Sequence, residues 1–154
     1  MDDFLCEPIR EGAKMALGRI LTREIFLYLL DLEVKRSRRY QNFFSIFILK
    51  LVQLSNRDNG RGLPTCYGQL SRLLQEEFRE SDILASTGEN TLAVLLPYAD
   101  VSASGKARAH FEASLDYYDF KKQGYEVRID QISFPGDGTD TGGLTRKVIG
   151  PEAN

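Results

Sequence analysis

Residues 43–54 have the sequence FFSIFILKLVQL, which is almost continuously apolar and rich in aromatic and β-branched side chains. Such a run is typical of a strand that is covered on both faces in the middle of a sheet. Lys50 is the one charged residue in the run. We therefore predict a central strand over residues 43–54, with Lys50 as the exception to its apolar character.

Three segments with helical periodicity flank this strand. The first begins near Thr22 and stops near Gln41, and the third covers about residues 104–118. The apolar positions of the first segment are Leu21, Ile25, Leu29 and Leu32, and those of the second are Leu70, Leu73, Leu74 and Phe78. Their spacing of three and four residues predicts amphipathic helices that each bury one face.

A hairpin and a last strand complete the predicted sheet. Residues 83–87 and 91–96 have strand composition, and the turn between them is followed by Pro97. Residues 125–134, YEVRIDQISF, alternate with period two. The glycine-rich run 136–143 is predicted to form turns. The order strand, helix, hairpin, helix, strand is a split βαβ arrangement, which predicts an α+β sandwich with an antiparallel sheet and helices on one face.

Length and charge restrict the function classes. The chain has 154 residues, enough for one domain, and its 20 basic and 22 acidic residues give a net charge of -2 and a pI near 5.5. Without a global positive field, binding of DNA or RNA is not expected. Cys6 and Cys66 are too few for a disulfide scaffold. No export signal and no apolar run of about 20 residues is present, so we expect a cytoplasmic domain without direct membrane insertion.

Several short motifs occur in a fixed order along the chain. They are Leu21-Thr22 with a helix ending in Arg38-Arg39-Tyr40, the segment 78–82 (FRESD), the segment 93–97 (AVLLP), and Phe134-Pro135 with Asp137-Gly138. In this order, the motifs resemble the GGDEF domain of bacterial diguanylate cyclases. The resemblance implies a central, mostly antiparallel sheet with a βαββαβ core flanked by helices. It places the GGDEF domain at residues 18–150, an N-terminal arm or linker helix at 1–17, and a tail at 151–154.

Family members condense two GTP molecules into cyclic di-GMP, and acidic residues of the signature turn and the first strand hold divalent metal there. Here the signature is GENTL, residues 88–92, so Asn90 and Thr91 replace the acidic positions and Glu89 replaces the second glycine. Lys50 falls where the metal-binding aspartate of the strand is expected, and an ammonium group repels Mg²⁺. The resemblance therefore implies a degenerate domain with no catalytic residue, metal site or cofactor.

One family motif is retained. Arg79 and Asp82 match the Arg-x-x-Asp pattern that lies five residues before the signature and binds the product in active members. A guanidinium can donate to guanine O6 and N7 or to a phosphate, and a carboxylate can accept from guanine N1–H and N2–H. Members often add an arginine from the next helix, and Arg108 is the nearest candidate, with His110 close by. Arg72 is either a rim residue or a solvated charge.

We therefore expect an inactive GGDEF domain that acts as a cyclic di-GMP receptor and signals to a protein partner or an adjacent domain. The alternative is a nucleotide-independent interaction or homodimerisation module, in which Arg79 and Asp82 form a surface ion pair. A third interpretation, GTP binding without turnover, is disfavoured because Glu89 would face the triphosphate.

Overall fold

A computed structural model describes residues 19–55 and 59–150 of the chain. The predicted arm at residues 1–17, Cys6 and the predicted tail at residues 151–154 lie outside the described residues. Within the described ranges, no helix has both the length and the apolar composition needed to cross a bilayer.

The described elements follow the predicted order. They are helix α1 (Arg23–Tyr40), strand β1 (Phe44–Gln53), helix α2 (Leu63–Glu77), strand β2 (Ile83–Gly88), strand β3 (Thr91–Pro97), helix α3 (Val101–Tyr118), a 3-10 turn (Phe120–Gln123), strand β4 (Tyr125–Phe134) and helix α4 (Thr141–Ile149).

The four strands form one antiparallel sheet in the order β2-β3-β1-β4. The predicted central strand is confirmed, because β1 pairs with β3 on one side and β4 on the other. Its first six residues are buried, and Lys50 is exposed. In the register, Lys50 lies directly opposite Thr91 of β3 and Arg128 of β4. A short parallel bridge from Leu21 to Ala85 covers part of the outer edge of β2.

Helices pack on both faces of the sheet, and not on the single face predicted from the split βαβ order. Successive side chains of a strand point to opposite faces, so β1 supplies both sides of the core. One apolar cluster joins Phe47 and Leu49 of β1 to α2 and α3, and the other joins Ile46 and Ile48 to α1 and α4. Because β1 is apolar at nearly every position, it requires a helical layer on each face.

The ends of α1 lie where the sequence predicts them. The Thr22 hydroxyl accepts a hydrogen bond from the backbone N–H of Ile25 (3.3 Å), and Gln41 ends the helix in the left-handed conformation with φ 56. The prediction that residues 136–143 form only turns is wrong for its last part, because Gly142 and Gly143 lie in the first turn of α4. Asp140 explains the difference: its carboxylate accepts from the backbone N–H of Gly143 at 2.6 Å and caps the helix.

Candidate functional site

Arg79 and Asp82 lie in the tight turn between α2 and β2. The backbone N–H of Asp82 donates to the carbonyl oxygen of Arg79 (3.0 Å), and the backbone N–H of Arg79 donates to Asp82 Oδ2 (2.9 Å). The second bond resembles a helix cap, in which a carboxylate holds a free backbone N–H. The turn therefore fixes the carboxylate of Asp82 by a backbone contact.

The guanidinium of Arg79 is not used to hold this turn. No salt bridge or side-chain hydrogen bond joins it to Asp82 or to any other residue in the described ranges, and Arg79 is exposed while Asp82 is half-buried. Burial raises the pKa of the Asp82 carboxyl, and the hydrogen bond from the Arg79 backbone and the charges of Arg79 and Arg19 oppose that rise. Within the described ranges, the turn thus presents a cation without a side-chain partner beside a fixed carboxylate.

Arg19 clamps the same turn from outside it. Its guanidinium donates to the carbonyl oxygens of Phe78 (3.1 Å), Arg79 and Asp82 (3.0 Å), and its backbone N–H donates to Oε1 of Gln75 (3.1 Å). These carbonyls follow the end of α2, where backbone acceptors lack partners within the helix. Sequence reasoning missed Arg19, because a lone arginine 60 residues before the turn carries no pattern that relates it to Arg79.

The turn opens onto a cleft with a volume of about 690 Å³. The cleft lies between the end of α2, the adjacent ends of β2 and β3, the first half of α3 and the last part of α1. Its apolar walls include Phe78, Ile83, Leu96, Pro97 and Phe111, and its polar lining residues are Glu33, Arg36, Glu77, Arg79, Ser81, Asp82, Tyr98 and His110. The cleft therefore combines an apolar interior with charged groups of both signs at its rim.

Two polar pairs along the cleft are already formed. Nε2 of His110 lies 3.1 Å from Oε2 of Glu77. On the α1 side, a guanidinium nitrogen of Arg36 lies 2.6 Å from Oε1 of the buried Glu33, and the guanidinium carbon lies 5.1 Å from the ring centroid of Tyr98. Among the described residues that line the cleft, Arg79 and Asp82 are therefore the charges that no side-chain ion pair engages.

Arg108 does not join Arg79 and Asp82 in this cleft. Its guanidinium donates to the carbonyl oxygen of Ile129 in β4 (2.9 Å), and Nε lies 3.5 Å from Oε2 of Glu112 one turn along α3. His110, two residues later, lines the cleft instead. The geometry thus gives no support to the predicted ligand contact of Arg108, and Arg72 is an exposed residue that does not line the cleft.

The signature turn lies at a second cleft, with a volume of about 510 Å³. Its lining residues are Arg23, Lys50, Thr87, Gly88, Glu89, Asn90, Thr91, Val148 and Ile149. Asn90 has a left-handed backbone with φ 54, and its carbonyl oxygen accepts from the backbone N–H of Leu51 at 2.9 Å. Glu89 is the only acidic side chain among these residues, and nowhere in the described part of the chain do three or more His, Cys, Asp or Glu side chains cluster as a metal site.

Comparisons with known proteins identify the fold. No protein-family model and no curated protein sequence matches the chain. The GGDEF domain of YfiN (TpbB) from Pseudomonas aeruginosa superposes with a TM-score of 0.70 at 17% identity, covering 84% of this chain and 85% of that one. The chain has the GGDEF fold. The predicted α+β sandwich is thereby confirmed.

Two further GGDEF-fold structures agree with this result. A diguanylate cyclase protein from Thermotoga maritima has a TM-score of 0.68 at 19% identity, covering 88% of this chain and 99% of that one. The GGDEF domain of DgcB from Caulobacter crescentus, solved in complex with cyclic di-GMP, has a TM-score of 0.65 at 11% identity, covering 84% and 79%. At these identities the shared property is the path of the backbone in the GGDEF fold.

Proposed function

We propose that this GGDEF-like domain is a receptor for cyclic di-GMP, that it binds the ligand through Arg79 and Asp82, and that it has no diguanylate cyclase activity. One observation carries the proposal. Arg79 presents an exposed guanidinium without a side-chain partner in the described ranges, beside the half-buried, backbone-anchored carboxylate of Asp82, at the rim of a cleft of about 690 Å³.

The two groups are complementary to guanine. The guanidinium fork of Arg79 can donate to O6 and N7 of the base or to a phosphate oxygen. The carboxylate of Asp82 can accept from N1–H and N2–H, and its anchoring to the Arg79 backbone reduces the entropy lost on binding. The rival arrangement, an ion pair that consumes both charges, is not formed between these two residues.

The proposed absence of turnover rests on the second cleft. Transfer of a nucleotidyl group from GTP requires divalent cations, which carboxylates hold against the phosphates. Among the described residues that line this cleft, Lys50 and Arg23 supply positive charge and Glu89 is the single carboxylate. An ammonium group repels the metal ion that the reaction needs.

Signal output is proposed to pass from the turn to a protein partner or an adjacent domain. Arg19, which precedes α1, donates hydrogen bonds to the carbonyls of the turn. Leu21, two residues later, forms backbone hydrogen bonds with the outer edge of β2, the strand that follows the turn. A ligand that repositions Arg79 or Asp82 therefore acts on the same backbone segment that Arg19 holds. This contact gives ligand occupancy a route to the start of the domain.

Calorimetric titration of cyclic di-GMP into the wild-type chain, Arg79→Ala and Arg72→Ala tests the proposal. Arg72 is the matched control, because it is an exposed arginine on the helix before the turn and does not line the cleft. We expect binding by wild type and Arg72→Ala, and a loss of about 1–3 kcal/mol, or roughly 5- to 150-fold in affinity, in Arg79→Ala. No heat at high micromolar ligand, or equal affinity in both variants, contradicts the receptor function.

A surface on α1 favours a second candidate, a homodimerisation module. Ile25, Tyr28 and Leu32 recur at spacings of three and four residues and are 38%, 64% and 44% exposed, whereas Phe26 and Leu30 of the same helix are fully buried. An apolar stripe on the outer face of a surface helix is typical of a contact between proteins. Sedimentation at several concentrations with and without cyclic di-GMP separates the candidates, because a constitutive dimer does not respond to the ligand.

A further inference from the structure

The outer edge of β4 carries backbone groups that face away from the sheet. Among the described strands, β4 is the last in the sheet and pairs with β1 alone. In an antiparallel pair, the backbone groups of alternate residues point toward the partner strand and away from it. The N–H and C=O of Ser133 bond to Asp137 at 2.8 and 2.7 Å, and therefore point away from β1. By the same alternation, the groups of Val127, Ile129 and Gln131 point outward.

Most of these outward groups have no hydrogen-bond partner in the described part of the chain. The carbonyl oxygen of Ile129 is the exception, since it accepts from the Arg108 guanidinium at 2.9 Å. Unpaired groups on an edge strand are a template for another strand, and proteins usually cover them. The opposite edge of this sheet is covered in that way, because Leu21 forms backbone hydrogen bonds with β2. The edge of β4 is thus the one that remains open among the described strands.

A cleft of about 300 Å³ lies beside this edge, between β4 and the end of α3, and is called the α3–β4 cleft below. Its lining residues are the apolar Leu115, Phe120, Val127 and Ile129 and the charged Glu112, Asp116, Asp119, Lys121 and Glu126. Two of the carboxylates are paired, because Nε of Arg108 lies 3.5 Å from Glu112 and Nε of Arg128 lies 3.0 Å from Glu126. Asp116 and Asp119 form no ion pair within the described ranges.

The end of α3 concentrates negative charge at this cleft. The last carbonyls of a helix carry partial negative charge, which cations in the last turn normally offset. Helices α1 and α4 have basic residues in their last turns, whereas α3 has none. Asp116 lies in the last turn of α3, and Asp119 follows as its C-cap residue. Lys121 supplies one positive charge against these two carboxylates and the helix end, so a further cation is attracted to this position.

This charge decides between two occupants of the edge. A second copy, paired β4 to β4 about a two-fold axis, brings the same carboxylates to the same face of the sheet, where like charges repel. An extended basic segment instead directs alternate side chains, about 7 Å apart, to the face of the cleft. Asp116 and Asp119 attract those side chains, while the backbone of the segment satisfies the edge of β4.

We propose that the outer edge of β4 binds an extended basic segment of a partner protein by strand addition, with alternate lysine or arginine side chains in the α3–β4 cleft beside Asp116 and Asp119. Arg108 releases the carbonyl oxygen of Ile129, which then accepts from the added strand. The α3–β4 cleft shares no lining residue with the Arg79 cleft, so this contact does not depend on the binding of cyclic di-GMP.

The test is titration of the isotope-labelled full chain with blocked peptides of about seven residues, followed by amide chemical shifts and hydrogen exchange. The first peptide alternates lysine and valine, and the second alternates glutamate and valine. The third has proline in place of the central valine of the first, which removes a backbone donor and keeps the charge. We expect only the first to bind, with slower amide exchange at Val127, Ile129 and Gln131. No binding at about 1 mM, or equal binding of the proline peptide, overturns the proposal.

Variants of the chain test the contribution of charge. Asp116→Asn with Asp119→Asn is expected to weaken binding of the lysine peptide about tenfold at low salt, because it removes both unpaired carboxylates. Glu76→Gln with Glu80→Gln is the matched control, since both residues are exposed and neither lines the cleft. Equal affinity in the two double variants overturns the proposal. Dimerisation of the free chain with slow exchange at the β4 amides identifies a second copy as the occupant and also overturns it.

Discussion

The guanidinium of Arg19 donates a hydrogen bond to the carbonyl oxygen of Asp82, 3.0 Å away. The same group donates to the carbonyls of Phe78 and Arg79, so one side chain satisfies three acceptors of the turn. The residue that precedes α1 is thereby fixed to the residues proposed to bind cyclic di-GMP. Stability of the turn and position of the ligand groups should therefore depend on a residue that does not line the cleft.

Arg19→Lys is expected to lower the free energy of unfolding by about 1–3 kcal/mol. A lysine ammonium cannot replace the planar fork that spans three carbonyls, and part-buried acceptors that lose their partner, such as those of Phe78 and Asp82, are costly. Thermal melts measure the stability, and calorimetry should show weaker cyclic di-GMP binding because the turn is less ordered. Arg72→Lys serves as the control, since Arg72 is exposed. Equal melting temperatures in the two variants contradict the clamp.

Asp82→Asn is expected to abolish detectable cyclic di-GMP binding and to stabilise the free domain at neutral pH. Burial raises the pKa of Asp82 in the folded state, so its favourable contribution to stability is complete at low pH and is lost as the pH rises through the folded pKa. Asparagine can still accept from the Arg79 backbone through its amide oxygen but carries no charge. The melting temperature of the variant minus that of wild type should be larger at pH 7 than at pH 4.

The ligand affinity of the wild type should have the opposite pH dependence. Guanine N1–H and N2–H are bound by the ionised carboxylate, so cyclic di-GMP affinity falls as the pH drops through the raised pKa of Asp82. The decline should begin at a higher pH than for an aspartate with an ordinary pKa. Calorimetry between pH 4.5 and 7.5 measures it, and a flat profile argues against Asp82 as a ligand group.

Local patterns carried most of the fold prediction. The apolar run that forms β1, the alternation that forms β4 and the Thr22 cap of α1 each act over a few residues, and each lies where the sequence predicts it. The second helical layer was missed because periodicity indicates that a helix buries one face, and not which face of the sheet receives it. The predicted buried face of α1 was itself wrong, because Ile25 and Leu32 are exposed and Phe26, Leu30 and Val34 are the buried residues. The first turn of α4 was missed because Gly142 and Gly143 favour a turn in a prediction from sequence, and the helix-capping role of Asp140 was not recognised.

The candidate site was less predictable than the fold, because contacts between distant parts of the chain set part of its geometry. The Arg79–Asp82 spacing is local, and the structure brings both residues to one cleft. The directions of Arg108 and Arg19 are set by partners far along the chain, Ile129 and the end of α2. Position in the sequence cannot supply that information. Arg108 and His110 are two positions apart on α3, and helix residues at that spacing point to different sides.

Arg108→Ala is expected to leave cyclic di-GMP affinity unchanged and to lower stability by about 1 kcal/mol. Arg108 donates to a carbonyl of β4, an edge strand of the sheet, and its loss removes that hydrogen bond and the Glu112 contact. His110→Ala is the informative comparison, because His110 lines the cleft and pairs with Glu77. If Arg108→Ala weakens binding as much as Arg79→Ala does, the side chain must swing into the cleft when the ligand binds.

A double variant, Tyr28→Ser with Leu32→Ser, tests the apolar stripe of α1. We expect this variant to remain folded. Both side chains are largely exposed, at 64% and 44%, so their removal forfeits little buried area within one chain. If the stripe joins two copies, the double variant sediments as a monomer at concentrations where the wild type self-associates, and cyclic di-GMP binding at Arg79 is retained. A wild type that is monomeric at about 100 µM, well above the dissociation constant of a stable homodimer, removes the dimerisation candidate.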